Sequence, residues 1–356
     1  MREPRSAGEP ASSRAPFFSA CVPVYNGGPY LKECLDSILA QTFEDFEIVV
    51  VDDGSTDDSP ALIERYAKRE PRLRFHRNET NLGLVANWNR CLSLARGAWV
   101  KFLFQDDFWS PSCLAQVHRH TNEHNLIFHG RKFAFSGEVR SSLREYYTSE
   151  LARLPPELQG VETLSPELCC ELVVKHPALN FFGEPSSVAF RRELCARIGK
   201  FDERLVQLCD YEYWVRVASV HGAYRIPEDL STFRVHGSAA SSANIATREF
   251  RYKYLDRLIV FESFHQNPLY ADLRRFVAAR DAGRVAGMYA NQQRLVAQRL
   301  RELPHADRSQ ASEQLRHFVP GAHAKVMALA KQRFGILRNS VKRLFRRVVG
   351  IERRNS

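Results

Sequence analysis

Apolar and polar positions along the first hundred residues form a regular succession of strand-like and helix-like segments. Two nearly continuous apolar runs, 17–24 and 46–51, are typical of strands covered on both faces of a parallel sheet. The segments that follow the strands place their apolar residues at helical spacing. The predicted order is β-α-β-α-β-α-β, with strands at 17–24, 46–51, 73–76 and 99–104. This alternation predicts an α/β domain with a mainly parallel sheet.

Two pairs of acidic residues follow predicted strands. Asp52-Asp53 ends the run FEIVVV, and Asp106-Asp107 ends the run WVKFLF. In open parallel sheets ligands bind beyond the carboxyl ends of the strands, so both turns are expected at one ligand-binding edge. Carboxylates there can bind a divalent cation together with substrate phosphates. Each pair taken alone is equally typical of a solvated turn or a helix cap.

The second half of the chain has a less regular pattern. Residues 130–180 contain several proline breaks, whereas Ser186–His236 contains a predicted strand, a short helix and a longer helix over 210–220. Helical spacing returns from about 247 to 302.

Composition and charge exclude several classes of protein. The chain has 356 residues, 44% hydrophobic and 26% charged, which excludes disorder over the whole length. Residues 325–356 carry ten Lys and Arg against one Glu, so they account for +9 of the net charge of +10. The main body therefore has no charge excess to offer nucleic-acid phosphates, and no nucleic-acid partner is expected.

The basic tail also has an apolar stripe. Its members recur at steps of three and four: Val326, Ala330, Phe334, Leu337, Val341, Leu344 and Val348. The spacing predicts a basic amphipathic helix. Such a helix either lies on an anionic membrane surface or docks on the body with its basic face in water, and the pattern leaves both open.

Neither terminus nor cysteine pattern indicates secretion. No stretch approaches the ~18 apolar residues of a spanning helix, and residues 1–16 form a polar leader without the apolar core of a secretory signal. The eight cysteines form no Cys-x-x-Cys pair, which favours reduced thiols. The predicted location is cytoplasmic, with the tail, 325–354, as a candidate contact to the inner face of the cell membrane.

Three segments, in order, resemble the family 2 glycosyltransferases: ACVPVYNGGPYLKECLDSILAQTFEDFEIVVVDDGSTDDS, NETNLGLVANWNRCLSLARGAWVKFLFQDDFWSP and GEPSSVAFRRELCARIGKFDERLVQLCDYEYWVRVA. The resemblance covers about residues 17–240. It implies a GT-A, Rossmann-like α/β fold with a mainly parallel sheet flanked by helices. With the patterns above, it predicts a leader at 1–16, a GT-A domain at 17–242, a C-terminal helical extension at 243–320 and a basic tail at 321–356.

The resemblance assigns donor-side roles to several residues. The loop that packs on the nucleotide base corresponds to Pro23, Val24, Tyr25 and Asn26. Asp53 matches the residue bonded to the base, while Asp52 resembles a support of that loop. A nucleotide-side segment of the family corresponds to Asn81, Gly83 and Asn89.

The acidic turn after the fourth strand matches the end of the family's DxD element. The resemblance implies that Asp107 binds a divalent cation, Mn²⁺ or Mg²⁺, and that Asp106 holds the donor sugar or ribose. Many members have a further Asp where this chain has Phe104, although others have only the final pair. His236, in FRVHGSAAS, matches a frequent family position and is predicted to bind the metal or the diphosphate; Arg234 is a candidate phosphate contact.

Asp210, in CDYEYW, matches the general base of inverting members, which takes the proton of the acceptor hydroxyl. A helix N-cap is the alternative role. Glu212 is the rival base, but at i+2 on a helix it projects away from Asp210. Glu184, in GEPS, resembles the acceptor-side loop.

The sequence thus predicts an inverting, metal-dependent glycosyltransferase. It would transfer a sugar from a nucleotide-diphosphate sugar, a UDP-sugar above all, to a lipid-linked or polysaccharide acceptor in cell-surface glycan synthesis. The alternatives are a catalytically inactive nucleotide-sugar-binding or scaffold protein and, with less support, a sugar nucleotidyltransferase. The stretch 120–124 also fits the zinc pattern H-x-x-E-H, but no third ligand is evident.

Overall fold

The computed structural model describes residues 15–150, 154–177, 179–237 and 250–331. The strands are β1 Phe18–Val24, β2 Phe46–Asp52, β3 Leu73–Arg77, β4 Trp99–Phe102, β5 Phe108–Trp109, β6 Leu126–Phe135, β7 Thr163–Leu164, β8 Val188–Arg191 and β9 Ala223–Val235. The helices are α1 Leu31–Leu39, α2 Ser59–Ala67, α3 Leu84–Leu94, α4 Cys113–His118, α5 Ser141–Glu145, α6 Pro166–Lys175, α7 Leu194–Ile198, α8 Cys209–His221, α9 Asp256–Gln266, α10 Ala271–Ala278, α11 Arg284–Glu302 and α12 His305–Phe318. Residues 320–331 are also helical.

These strands form one mixed sheet in the order β3-β2-β1-β4-β8-β6-β9-β5, with β7 paired to β9. The first four strands are parallel, as their alternation with helices predicts. Beyond β4 the sheet becomes mixed, because β8 runs antiparallel to both β4 and β6. The prediction of an α/β fold with a central sheet flanked by helices is therefore confirmed.

Helices cover both faces of the sheet. All seven positions of β1 and of β2 are buried, which explains why their sequences are almost continuously apolar. On one face Leu31, Leu35 and Ile38 of α1 pack in an apolar cluster. On the other face α3, α6 and α8 form a second, larger cluster.

The C-terminal helices belong to that second cluster. Leu258 of α9, Val296 of α11 and Leu315 of α12 are buried together with Trp214 and Val215 of α8. The extension predicted at 243–320 therefore shares its core with the sheet domain. The extension packs against α8, the helix that carries Asp210.

The first part of the predicted tail helix docks on the body. Val326 is fully buried, and Ala330 packs against the same apolar cluster. Most of the 326–348 stripe lies outside the described residues, as do positions 1–14 of the predicted leader. None of the helices in the described part of the chain combines the length and apolarity that crossing a bilayer requires.

Candidate active site

The loops that follow β1, β2 and β4 meet at one edge of the sheet, as expected for parallel strands. The backbone N–H of Asp53 donates to the carbonyl of Val24 at 2.7 Å. The side chain of Gln105 accepts from the backbone N–H of Tyr25 at 2.8 Å and donates to its carbonyl at 3.0 Å. Both acidic turns therefore border the loop predicted to contact the nucleotide base.

The four residues of that loop differ in exposure. Pro23 and Val24 are buried, whereas the ring of Tyr25 is 47% exposed. Asn26 has φ +49° and accepts from the backbone N–H of Thr56 at 2.8 Å. Tyr25 thus offers a ring face for base stacking, while the side chain of Asn26 fixes the neighbouring loop.

Asp53 binds the loop between β3 and α3. One carboxylate oxygen accepts from the N–H of Leu82 at 2.8 Å, and the other accepts from the N–H of Gly83 at 2.9 Å. The amide of Asn78 also donates to it, at 2.8 Å. Helix α3 begins directly after this loop, at Leu84. Asp53 thus supports the loop between β3 and α3, and its predicted bond to the base stays a prediction.

Asp52 is likewise buried, and its carboxylate binds partners within the protein. It accepts from the N–H of Ser55 at 3.1 Å and forms an ion pair with Arg77 at 3.2 Å. Asn89 is also buried, and its amide bonds the backbone of Phe201 at 3.0 Å in both directions and the carboxylate of Glu203 at 2.9 Å. Asn89 therefore anchors the segment before α8, and its predicted donor contact stays a prediction.

The acids of the second turn face different partners. A carboxylate oxygen of Asp106, whose side chain is 20% exposed, lies 3.0 Å from Nε2 of His236. Asp107 is only 1% exposed and accepts from the hydroxyl of Ser186 at 2.5 Å and from the N–H of Arg234 at 2.9 Å. Burial and the adjacent Asp106 raise the pKa of Asp107 well above its ordinary value. The structure thus brings His236 to Asp106, and the predicted binding of a metal by Asp107 and His236 stays a prediction.

Asp106 and His236 fit a divalent cation. A carboxylate oxygen and an imidazole nitrogen are suitable donors for Mn²⁺, and Mg²⁺ uses one or two protein carboxylates with water and substrate phosphates. Among the described residues no set of three or more His, Cys, Asp and Glu side chains could enclose an ion. Such a cation would therefore need oxygen atoms of water or of substrate phosphates to complete its coordination.

The guanidinium of Arg234 is fully engaged at this turn. It donates to the carbonyl of Asp106 at 2.9 Å, pairs with Glu33 and lies over the ring of Tyr30, 4.6 Å from its centroid. Arg234 therefore fixes the acidic turn, and a direct phosphate contact would require it to leave these partners.

Asp210 lies in the first turn of α8 and is 9% exposed. One carboxylate oxygen accepts from the N–H of Tyr211 at 2.7 Å, and the other accepts from the amide of Asn180 at 3.0 Å. Burial raises the pKa of Asp210 to about 7. A carboxylate with that pKa is ionised near neutral pH and can still take a proton, as a general base requires.

Glu184 lies in the short segment that runs from Asn180 to Ser186. Its carboxylate pairs with Arg131 at 2.5 Å, and its negative charge raises the pKa of both Asp107 and Asp210. The residues around Glu184 give the geometric link: Asn180 binds both Asp210 and the carbonyl of Gly183, and Ser186 binds Asp107. The acidic turn after β4 and the first turn of α8 therefore belong to one site.

Glu212 points away from this site. It is 2% exposed, forms an ion pair with Arg216, and accepts a hydrogen bond from the hydroxyl of Tyr270. Arg216 in turn donates to the carbonyls of Ile198 and Lys200. Glu212 is thus enclosed in a structural network, which leaves Asp210 as the acid of α8 that faces Asn180 and the 180–186 segment.

A buried lysine contacts the backbone of Ser186, the residue that binds Asp107. Lys101 is fully buried, and its ammonium donates to the carbonyl of Ser186 at 2.9 Å and lies 2.8 Å from Nε2 of His129. The indole of Trp109 donates to the same carbonyl at 2.9 Å. Burial lowers the pKa of Lys101 to about 8. Ser186 is therefore fixed through its carbonyl and binds Asp107 through its hydroxyl.

Sequence reasoning missed Asn180, Arg131 and Lys101. Asn180 lies in the irregular region, and Arg131 and Lys101 lie inside strands without a motif around them. A lysine within the apolar run WVKFLF was the one available signal, since a buried lysine requires partners. The H-x-x-E-H pattern is accounted for differently, because the rings of His120 and His124 both stack on the ring of Tyr224.

Comparison with known proteins identifies relatives of this chain. The family model described as glycosyl transferase family 2 matches residues 19–168. An uncharacterized protein of Mycobacterium tuberculosis, MT1568, is 32% identical over 74% of this chain and 80% of its own length. The uncharacterized glycosyltransferase EpsJ of Bacillus subtilis is 34% identical over 53% of this chain, which spans about half of EpsJ.

Solved structures share the fold. Staphylococcus aureus TarS 1–349 in complex with UDP-GlcNAc has a TM-score of 0.59 at 21% identity, covering 88% of this chain and 83% of its own. The mannosyltransferase PcManGT of Pyrobaculum calidifontis, in complex with GDP-Man and Mn²⁺, has a TM-score of 0.50 at 19% identity, covering 90% and 88%. At these identities the likeness establishes the architecture.

Proposed function

The chain belongs to glycosyl transferase family 2 and is a glycosyltransferase, and from that premise we propose that it is an inverting, metal-dependent enzyme. The proposed donor is a nucleotide-diphosphate sugar, in the first place a UDP-sugar. The proposed acceptor is a lipid-linked or polysaccharide glycan in cell-surface glycan synthesis.

The observation that carries this proposal is that one short segment, 180–186, contacts Asp210 through Asn180 and the acidic turn after β4 through Ser186. On one side Asp106 and His236 offer an oxygen and a nitrogen at the edge of the sheet, 3.0 Å apart. On the other side Asp210 is a buried carboxylate with a pKa of about 7. Transfer with inversion requires this combination, because the leaving diphosphate and the attacking hydroxyl lie on opposite sides of the anomeric carbon.

In the proposed reaction Asp210 accepts the proton of the acceptor hydroxyl as its oxygen attacks the anomeric carbon. The new bond forms to the acceptor oxygen, and the bond to the diphosphate breaks in the same step. The nucleoside diphosphate leaves with the bonding electron pair, and the proton on Asp210 passes to solvent. Because Asn180 and the N–H of Tyr211 hold both carboxylate oxygens, the base needs little reorganisation before it acts.

Asp106 and His236 are the proposed ligands of the divalent cation, and Asp107 is assigned to support. A bound Mn²⁺ or Mg²⁺ supplies positive charge that stabilises the leaving diphosphate. Asp107 fixes the turn through Ser186 and the backbone of Arg234, which keeps Asp106 directed at His236. Tyr25 is the proposed stacking surface for the base, and Asp53 shapes the adjoining loop.

The proposed cellular setting is the cytoplasmic face of a membrane. Support comes from the excess of Lys and Arg in residues 325–356 and from the apolar stripe between them. The described start of that helix, up to Lys331, docks on the body through Val326 and Ala330.

A thermal-shift screen of nucleotide diphosphates and nucleotide-sugars, each with and without Mn²⁺ or Mg²⁺, tests the proposal. A ligand that binds the native state raises the melting temperature by mass action. We expect a metal-dependent increase with UDP and with one UDP-sugar. If no nucleotide changes the melting temperature under either condition, the proposed donor site is wrong.

A further inference from the structure

The segment between α6 and β8 contains a side chain that contacts the proposed base directly. The amide nitrogen of Asn180 donates to a carboxylate oxygen of Asp210 at 3.0 Å. The same nitrogen donates to the carbonyl of Gly183 at 3.0 Å, and the amide oxygen of Asn180 accepts from the N–H of Gly183 at 3.2 Å. The amide nitrogen of Asn180 therefore binds both Gly183 and Asp210, and its oxygen binds Gly183.

The turn itself is held from two further sides. The indole of Trp214, on the same helix as Asp210, donates to the carbonyl of Gly183 at 3.2 Å. Gly183 has φ +95°, and a Cβ at this position would lie 3.0 Å from the guanidinium of Arg131. Since only glycine readily adopts this backbone and fits this space, the turn and the side chain of Asn180 have one well-defined arrangement.

We propose that Asn180 is the positioning residue of the base: it fixes the carboxylate plane of Asp210 and couples it to the 183–186 loop that reaches the donor side. The proposal deepens the proposed function and rests on it in treating Asp210 as the base. Ser186, three residues after Gly183, binds Asp107 through its hydroxyl, so one short segment contacts the acids on both sides of the reacting bond.

The bond from Asn180 also has an electrostatic consequence. A hydrogen-bond donor favours the ionised form of a carboxylate and lowers its pKa. Burial and Glu184 raise the pKa of Asp210, whereas the backbone N–H groups of Tyr211 and of Asp210 itself and the charge of Arg131 lower it. The thiol of Cys209 is the neighbouring titratable group on the same helix, and burial raises its pKa well above the ordinary value. The hydrogen bond from Asn180 thus stabilises the ionised form of Asp210, whereas burial and the charge of Glu184 stabilise its protonated form.

The titration of Asp210 in the full-length protein tests the inference without a substrate. The ¹³C carboxyl signal of Asp210, assigned by its loss in Asp210→Asn, is followed by NMR from pH 4 to pH 9 in the wild type, Asn180→Ala and Asn180→Asp. We expect a wild-type midpoint near the pKa of about 7. The midpoint should be higher by about one pH unit in Asn180→Ala. It should be higher still in Asn180→Asp, because a second carboxylate then replaces the donor.

These outcomes separate positioning from a general structural role. If Asn180 merely stabilised the fold, its removal would let water reach Asp210, and the midpoint would fall towards that of an ordinary Asp. An unchanged or lower midpoint in Asn180→Ala therefore overturns the proposal, and this variant decides the matter even if Asn180→Asp does not fold. Asn125→Ala is the matched control, since Asn125 contacts His221 far from the base and should leave the midpoint unchanged.

Binding of UDP with Mn²⁺, measured by calorimetry on the same variants, distinguishes this inference from the proposed function. We expect Asn180→Ala to retain the wild-type affinity, because the hydrogen bonds of Asn180 go to Asp210 and Gly183 and not to Asp106, His236 or the loop at 23–26. If the wild type itself binds no nucleotide, the proposed function fails while the titration result stands. With an active donor, kcat should fall by about 10²-fold in Asn180→Ala with little change in the donor KM.

Discussion

The carboxylate of Asp106 lies 3.0 Å from the imidazole of His236, although 130 residues separate them in the chain. The neighbouring Asp107 has no such access, because its two oxygens bind Ser186 and the backbone of Arg234 beneath the surface. Two adjacent acids in one turn therefore have different environments and are assigned different tasks.

The first prediction concerns the cation. Asp106→Asn and His236→Ala should each abolish the metal-dependent part of the thermal shift caused by UDP, since each removes a proposed ligand. Measurement of the melting temperature with UDP alone and with UDP plus Mn²⁺ gives that part as a difference. A metal-dependent shift of wild-type size in both variants would contradict the assignment.

Asp107→Asn is the matched comparison. The amide oxygen can still accept from the Arg234 N–H, but the amide nitrogen then faces the Ser186 hydroxyl that donates to Asp107 in the wild type, so the substitution should lower the free energy of unfolding by about 1–3 kcal/mol. Urea denaturation measures this loss. If instead Asp107→Asn folds as well as the wild type and alone loses the metal-dependent shift, the sequence-based assignment of the metal to Asp107 is correct.

The second prediction concerns the rate and pH dependence at Asp210. The base must be ionised to act, so kcat/KM should rise with pH through about 7, the pKa of Asp210, and level off above it. Asp210→Asn should reduce transfer by about 10²–10⁴-fold, the usual contribution of a general base. A pH profile that is flat from 5 to 9 would exclude Asp210 as the titrating group.

The same variant should gain stability at high pH. The folded-state pKa of Asp210 is about 7 against an ordinary pKa of 3.8, so folding is opposed increasingly as pH rises from about 4 to 7 and fully above 7. Asp210→Asn carries no such penalty. Its melting temperature relative to the wild type should therefore be higher at pH 8 than at pH 5, which differential scanning calorimetry can measure.

The third prediction separates Glu212 from the base. Glu212→Gln breaks a buried ion pair and leaves Arg216 without its partner, so it should cost about 3–5 kcal/mol of stability. Chemical denaturation measures the cost, with Asp210→Asn as the control on the same helix. A Glu212→Gln protein of wild-type stability with no transferase activity would instead indicate that Glu212 is catalytic.

The fourth prediction concerns Lys101. Its folded-state pKa of about 8 lies below the ordinary lysine pKa of 10.5, so the unfolded chain binds more protons between these values. Stability from this group therefore rises with pH above about 8, and the full penalty of the buried charge applies below it. Relative to Lys101→Met, the wild type should become more stable between pH 7.5 and 9. A difference that stays constant over this range would contradict the lowered pKa.

The sequence by itself determined most of the architecture. Continuous apolar runs identified β1 and β2 as strands buried on both faces, and their alternation with amphipathic helices correctly predicted the four parallel strands β1–β4. Since parallel strands end at one edge, the sequence also placed Asp53 and Asp106 in neighbouring turns, where the structure has them. Asp210 likewise lies in the first turn of a helix, as its pattern predicted.

Only the tertiary structure decided which distant residues each of these side chains contacts. Asp107 is withdrawn from solvent by Ser186, 79 residues away, and Asn89 is engaged by Phe201, 112 residues away. Asn180 reaches Asp210 from a segment with no recognisable period. Hydrophobic periodicity depends on the strand or helix to which a residue belongs, whereas the partners of a polar side chain depend on which distant segments pack against it. That packing is the property that local sequence does not contain.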